Sequence, residues 1–391
     1  MSITRRYAAF SGAGVNGAAH VGEIKQLQKE VGTLKPFVGV AGTSAGAITG
    51  LLFALGLTAE KIEELFMEID FQKLDDRKNI LREVVDIFEQ DSLAIGAELR
   101  KMVTTLMQKA CGNIHLTYGD LAKKGYKDLH VVTTRIGKRF GEGTADAKTF
   151  NAETTPHTQI LPTIIASASI EGFFPPILMK EVKPGQFEEI TNPDPNDPDV
   201  LMYADGGFMQ NLPVRAFDKK KYLSTFKPGD TDGEEECFNP ETLGFMICIP
   251  AETLRQTKMT ALPRHNPVAY VRALANGAVF GTQEHNFWYS SDSRRTVLSS
   301  NNGISSRDFS ITPSQVKMDV NSGITATADF FHPEEKEHKT NAAQAYAKGG
   351  RQMPSPIHTK KPLAVPLLSA NDKNNSDDEN NDKGWKCCTI M

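Results

Sequence analysis

Twice within its first sixty residues the chain runs from a short apolar segment through a glycine-rich turn into a helix-forming stretch. Residues 7–10 lead into Ser11-Gly12-Ala13-Gly14-Val15-Asn16-Gly17, and a helix is predicted over 17–31 with Ile24 and Leu27 on one face. Residues 37–41 lead into Gly42-Thr43-Ser44-Ala45-Gly46 and then a helix over 45–57. A crossover helix is what brings a chain back parallel to its previous strand, so the repeated unit predicts an α/β fold built on parallel strands. The second helix is apolar all round and too short to cross a bilayer, which marks it as buried.

The rest of the chain extends this plan. Amphipathic helices are predicted over 59–67 and 95–111, where Leu99, Met102, Val103 and Leu106 share a face. Residues 129–134 read as a strand, 161–168 as a helix, and 173–179 as extended or turning because of Pro175-Pro176. A surface loop over 193–199 precedes a strand over 201–204 that ends at Asp205. Strands over 243–249 and 295–298 flank a helix over 267–281. Periodicity fades after Phe331, and the following polar segment cannot supply a core. The expected organisation is one folded domain, 1–335, followed by a flexible tail, 336–391.

Both glycine turns suit acyl-transfer chemistry. Gly42 to Gly46 has the form of a nucleophile elbow, in which a serine sits on a strained strand-to-helix turn between small residues. Ser44 would stand at a helix N-terminus, where the dipole favours developing negative charge. A pentapeptide of this kind also occurs as a plain small-residue turn. The turn from Gly12 to Gly17 aims several backbone N–H groups at one point, which suits an oxyanion hole. A dinucleotide site would instead want an acidic residue at the end of the next strand, and that strand ends Val-Ala-Gly-Thr-Ser.

A third motif, Asp205-Gly206-Gly207, follows the strand over 201–204, with Asn211 and Pro213 after it. In this order the three motifs resemble the patatin-like phospholipases, and the segments 166–179 and 295–331 extend the likeness over nearly all of 5–331. The resemblance implies a three-layer α/β sandwich with a mostly parallel central sheet and helices on both faces. It also implies a two-residue engine without histidine: Ser44 as nucleophile and Asp205 as the group that takes its proton. Gly12, Ala13 and Gly14 would form the oxyanion hole, while Gly17, Gly42, Gly46, Gly206 and Gly207 complete the motifs. The implied substrates are fatty acyl esters of membrane phospholipids or lysophospholipids, with no metal and no cofactor. Likeness to secreted bacterial members implies a host protein activator.

Two positions depart from the family pattern. Ala13 stands at the second glycine, and an alanine keeps its N–H and serves there if the backbone does not need a positive φ. Asn16 stands where a basic residue often follows, which removes a helper for the oxyanion or a phosphate. The rival arrangement is a triad whose histidine follows the aspartate, with His265 and His285 as candidates, and neither has a supporting motif. His20 reads as a packing or hydrogen-bonded residue. A different class of function on the same fold is a catalytically silent, lipid-anchored binding module.

Charge and cysteines bound the setting. With 44 basic and 48 acidic residues the formal charge is -4, which excludes a global basic surface for nucleic acid. The first ten residues lack the long apolar core of a signal peptide, and the five cysteines show no zinc spacing, which together point to a cytosolic start and a reducing compartment. Cys388-Thr389-Ile390-Met391 forms a C-a-a-X box whose methionine favours farnesyl, making a farnesyltransferase an expected partner. Cys387 could take a palmitoyl group as second anchor. The expected location is the cytosolic face of a eukaryotic membrane, in a host cell if the protein is a bacterial effector.

Overall fold

The first repeat forms β1 (Tyr7–Phe10) and α1 (Ala18–Val31), joined by a 3-10 turn over Gly14–Gly17; the second forms β2 (Gly39–Thr43) and α2 (Ala45–Ala54). The two strands pair in parallel, with Tyr7 opposite Gly39 and Phe10 opposite Gly42. These features belong to a computed structural model that describes residues 4–75, 96–139, 141–170, 173–194, 196–227, 229–249 and 291–334. The helix expected over 267–281, His265, His285, Cys387 and Cys388 lie outside the described residues.

Further along the chain come α3 (Ala59–Met67), α4 (Ala97–Cys111), α5 (Tyr118–Lys123), β3 (Asp128–Arg139), β4 (Glu142–Phe150) and α6 (Ile160–Ser167). Then follow β5 (Ile177–Lys183), β6 (Gln186–Glu189), β7 (Val200–Asp205), α7 (Gly207–Gln210), β8 (Thr242–Cys248), β9 (Thr296–Ser300) and α8 (Pro313–Phe331). The described strands form one mixed sheet in the order β6-β5-β7-β3-β2-β1-β8-β9, with β4 added on β3. From β3 to β9 every pairing in that order is parallel, while β4, β5, β6 and β7 pair antiparallel.

Alternation along the strands sorts their side chains into two cores. Ala8, Phe10, Val40, Val131, Phe245 and Val297 face α1, α2 and α8 in the larger one. Every residue of α2 is buried, as its all-apolar sequence requires. Tyr7, Ala9 and Ala41 face the other way, onto Val214 and Phe217. On that side the ring of Tyr7 stacks on Phe217 at 4.4 Å, and the Thr43 hydroxyl donates to the Gln210 carbonyl at 3.0 Å, bringing α7 onto the same face. Helices thus lie on both sides of the sheet.

The strands whose extent differs from the sequence expectation are the polar ones. β3 runs well past residue 134 into a hairpin with β4, whose solvent-facing residues carry no apolar alternation. Opposite charges hold it: Arg135 sits directly across from Asp146 and donates to both its oxygens, at 2.9 and 2.7 Å. At the other end of the sheet, Arg295 closes a 3-10 turn before β9 rather than starting the strand. Its buried guanidinium donates to both oxygens of Asp218 at 2.6 Å and to Asp292 at 2.7 Å, fastening the 211–222 segment to the sheet.

The closing helix α8 starts at a capping box of Thr312 and Gln315 and packs along α1 with the two backbones in contact. A Cβ on Gly22 would lie 1.9 Å from the Val320 carbonyl oxygen, and one on Gly323 would lie 2.0 Å from that of Ala19. Gly323→Ala must therefore push the helices apart. We predict a loss of about 1–3 kcal/mol, the usual cost of overpacking, read as a lower urea midpoint at unchanged slope; an unmoved midpoint would contradict this crossing.

Candidate active site

β3 decides where the two motif residues meet. β4 occupies one of its edges from Val131 to Arg139, so β2, opposite 128–132, and β7, opposite 133–136, must share the other. β2 runs parallel to β3 and ends at Thr43 opposite Val132; β7 runs antiparallel and ends at Asp205 opposite Thr133. The strands thus approach end to end on adjacent residues of a common neighbour. Ser44 follows one end and Asp205 closes the other, and the Ser44 hydroxyl donates to Asp205 Oδ2 at 2.5 Å.

Ser44 holds φ 54° and ψ -124°, a region that a side chain seldom occupies and that costs on the order of 1–3 kcal/mol. Flanking glycines make the bend feasible. A Cβ on Gly46 would lie 2.3 Å from the Phe10 carbonyl oxygen, and one on Gly42 would lie 2.2 Å from that of Gly46. The bend is fixed from below by Ser167, whose hydroxyl accepts the Ser44 N–H at 2.9 Å and donates to the Val132 carbonyl at 2.6 Å. Asp205 is held as firmly: Oδ1 accepts the Gly207 N–H at 2.7 Å, and its carbonyl accepts the Thr134 hydroxyl at 2.6 Å.

The first glycine turn lies alongside. Gly14 has φ +55°, and a Cβ there would lie 1.9 Å from the Ser306 carbonyl oxygen, so only glycine fits. Ala13 has a negative φ of -150°, outside the left-handed region that needs glycine, which explains why alanine is accepted at this position. Ala13 and Gly14 cap the 3-10 turn, and among the described residues neither N–H meets an acceptor. Gly12 does not join them as expected. Its N–H is committed to the Asn211 carbonyl at 3.0 Å, a bond that ties the glycine turn to the Asp-Gly-Gly loop instead.

Other expected residues serve the frame. Asn16 is buried and donates its side-chain amide to the Ile304 carbonyl at 3.1 Å. His20 is buried with Nδ1 against Glu23 at 2.6 Å and Nε2 against the Ser11 carbonyl at 2.8 Å, so both ring nitrogens are occupied away from Ser44. An apolar cavity opens from Ser44 and Gly14 and is lined by Ile48, Phe66, Leu74, Leu99, Phe174 and Phe309.

The sequence profile of the patatin-like phospholipase family matches residues 8–218, more than half of the chain. The chain belongs to that family. Among curated relatives it is 28% identical over 225 residues to the uncharacterized protein YqhO of Bacillus subtilis (strain 168), a match covering 54% of this chain and 66% of YqhO. The chain thus spans just under two thirds of that relative's length. Among solved structures it is similar to VipD from Legionella pneumophila, at 17% identity and a TM-score of 0.46, over 85% of this chain and 67% of VipD. It is also similar to the type III effector ExoU of Pseudomonas aeruginosa, at 15% identity and a TM-score of 0.43, over 85% of this chain and 54% of that one. A third, human GIVD cytosolic phospholipase A2, has 14% identity and a TM-score of 0.27, over 50% of this chain and 26% of that one.

In this patatin-like phospholipase family member, burial pushes the Asp205 carboxyl up to about 6, against the lowering pull of the Ser44 hydroxyl, the Gly207 N–H and the Arg307 charge. An acid whose folded pKa lies above its unfolded value of 3.8 binds protons more tightly when folded. The folded state therefore gains stability as pH falls through about 6 toward 4, and carries the full cost of the buried charge at pH 7. Asp205→Asn keeps the shape without the charge and should be more stable than wild type at pH 7, by on the order of 1–3 kcal/mol. That gain should shrink to nothing by about pH 4 in denaturation curves run across pH. A variant less stable at every pH would show that the carboxylate is not strained.

Proposed function

We propose that the protein is a lipid acyl hydrolase in which Ser44 is the nucleophile and Asp205 the base, acting through an acyl-enzyme. One observation carries the reading: the 2.5 Å contact between the Ser44 hydroxyl and Asp205, at the mouth of an apolar cavity and beside two unengaged backbone N–H groups. A base raised to about 6 remains ionised at neutral pH and takes a proton more readily than an ordinary carboxylate. As the Ser44 oxygen attacks the ester carbonyl, its proton passes to Asp205. The carbonyl oxygen becomes an anion, which the N–H groups of Ala13 and Gly14 receive; such a donor contributes about 3–4 kcal/mol to the transition state elsewhere. Collapse expels the alcohol, which takes the proton from Asp205, and leaves the acyl group on Ser44. Water, giving its proton to Asp205, then repeats the sequence and frees the fatty acid.

The cavity supports a fatty acyl group as substrate, because its lining offers hydrocarbon contact and almost no hydrogen-bonding partners. Phospholipids and lysophospholipids are the proposed esters. Purified protein should release fatty acid from phospholipid vesicles, and Ser44→Ala and Asp205→Ala should each lower kcat by about a thousandfold or more. A fluorophosphonate should label Ser44, and kcat/KM should fall below about pH 6 as Asp205 is protonated. Unchanged turnover in Asp205→Ala would hand the base's role to a histidine outside the described residues. No turnover and no labelling in wild type would favour a silent binding module.

A further inference from the structure

We propose that Arg307 binds the headgroup phosphodiester of the lipid whose acyl ester Ser44 attacks. The inference rests on the hydrolase reading and adds to it the part of the substrate that lies outside the apolar cavity.

Arg307 belongs to the loop between β9 and α8, and that loop is clamped onto the glycine turn at two points. The Ser306 carbonyl accepts the Val15 N–H at 3.1 Å and fills the space where a Gly14 side chain would start. The Ile304 carbonyl accepts the Asn16 amide at 3.1 Å. On the other side of Arg307, Phe309 lines the cavity together with Ser44 and stacks on Phe173 at 4.6 Å. Arg307 is therefore held between a residue that touches the oxyanion turn and a residue that touches the acyl cavity.

Among the described residues no carboxylate lies within ion-pairing distance of half-buried Arg307. Arg307 is also, among the described residues, the one formal charge acting on Asp205. A half-buried cation without a partner is costly unless an anion completes it, and a guanidinium offers paired donors that match two phosphate oxygens. In a glycerophospholipid only glycerol carbons separate the ester from the phosphate, so an ester seated at Ser44 brings the phosphodiester to the cavity rim. Asn16 is buried with its amide turned to the Ile304 carbonyl and carries no charge, so it is no substitute for this contact.

The test compares wild type, Arg307→Ala and Arg307→Lys on a short-chain phosphatidylcholine and on the diacylglycerol with the same acyl chains. The ratio of kcat/KM for the two esters should fall by about tenfold to a hundredfold in Arg307→Ala, the range for a hydrogen bond to a charged group, and recover in part in Arg307→Lys. An unchanged ratio overturns the assignment. A second arm needs no turnover: the Ser44→Ala protein, with and without Arg307→Ala, is titrated with a diether phosphatidylcholine and with the matching diether glycerol. Preference for the phosphate-bearing ether should be present with Arg307 and lost without it. If wild type hydrolyses neither ester yet this preference appears, the hydrolase reading fails and the phosphodiester site stands. If the preference survives Arg307→Ala, or if inorganic phosphate alone binds through Arg307 as tightly as the ether lipid, the proposal is wrong.

Discussion

Two strands of opposite direction ending against one another on a single edge of β3 is the constraint from which the site follows. In a purely parallel sheet, neighbouring strands deliver their C-terminal residues side by side, separated by the strand spacing of about 4.8 Å. Here β2 and β7 share an edge, so the residues at their tips succeed one another along β3 as Val132 and Thr133 do. That brings a turn residue and a strand residue into hydrogen-bonding contact without a long loop. The mixed character of the sheet is thus a requirement of the site. It also explains small side chains where the two ends pass: a Cβ on Gly206 would lie 2.3 Å from the Val132 carbonyl oxygen.

The same meeting point is unfavourable for stability. A positive φ at Ser44 and a carboxylate buried, among the described residues, without a cation in contact both raise the energy of the folded state. Neither persists unless neighbours over-determine it. Ser167 bridges Val132 and Ser44, Thr134 holds the Asp205 backbone carbonyl, and Gly207 holds its carboxylate. Behind them stand the all-buried α2 and the close crossing of α1 with α8. The polar cluster around Arg295 performs the matching task on the other face, where short segments with little apolar surface need a fixed anchor.

How much of this could be read from the residues depended on how local the cause was. The helices over α2 and α3 and the buried strands were legible because burial on all sides, or on one face, writes itself into spacing. The β3–β4 hairpin was not, because cross-strand charge pairs rather than apolar alternation hold it. Within the site, the two motifs named Ser44 and Asp205, and the structure brings them together. A glycine-rich turn announces exposed N–H groups without saying which are already bonded: in sequence Gly12 looks like the equal of Ala13 and Gly14, yet its N–H donates to the Asn211 carbonyl. Ser167 and Arg307 reach the site across the tertiary fold, more than a hundred residues from Ser44, and no short pattern records that.

The exchange of a basic residue for Asn16 also gains a physical sense. An asparagine there anchors the loop after β9, and that loop carries the cation which the glycine turn lacks. Moving the charge across to Arg307 links two events that would otherwise be independent, since the same cation lowers the proton affinity of Asp205 and is the group proposed to bind the phosphodiester. An anion that settles on Arg307 screens that pull. In the proposed mechanism Asp205 would then be a stronger base with a complete substrate in place and a weaker one with the site empty. On the proposed reading the headgroup would do more than hold the lipid: its charge would prepare the carboxylate for the proton that Ser44 would lose.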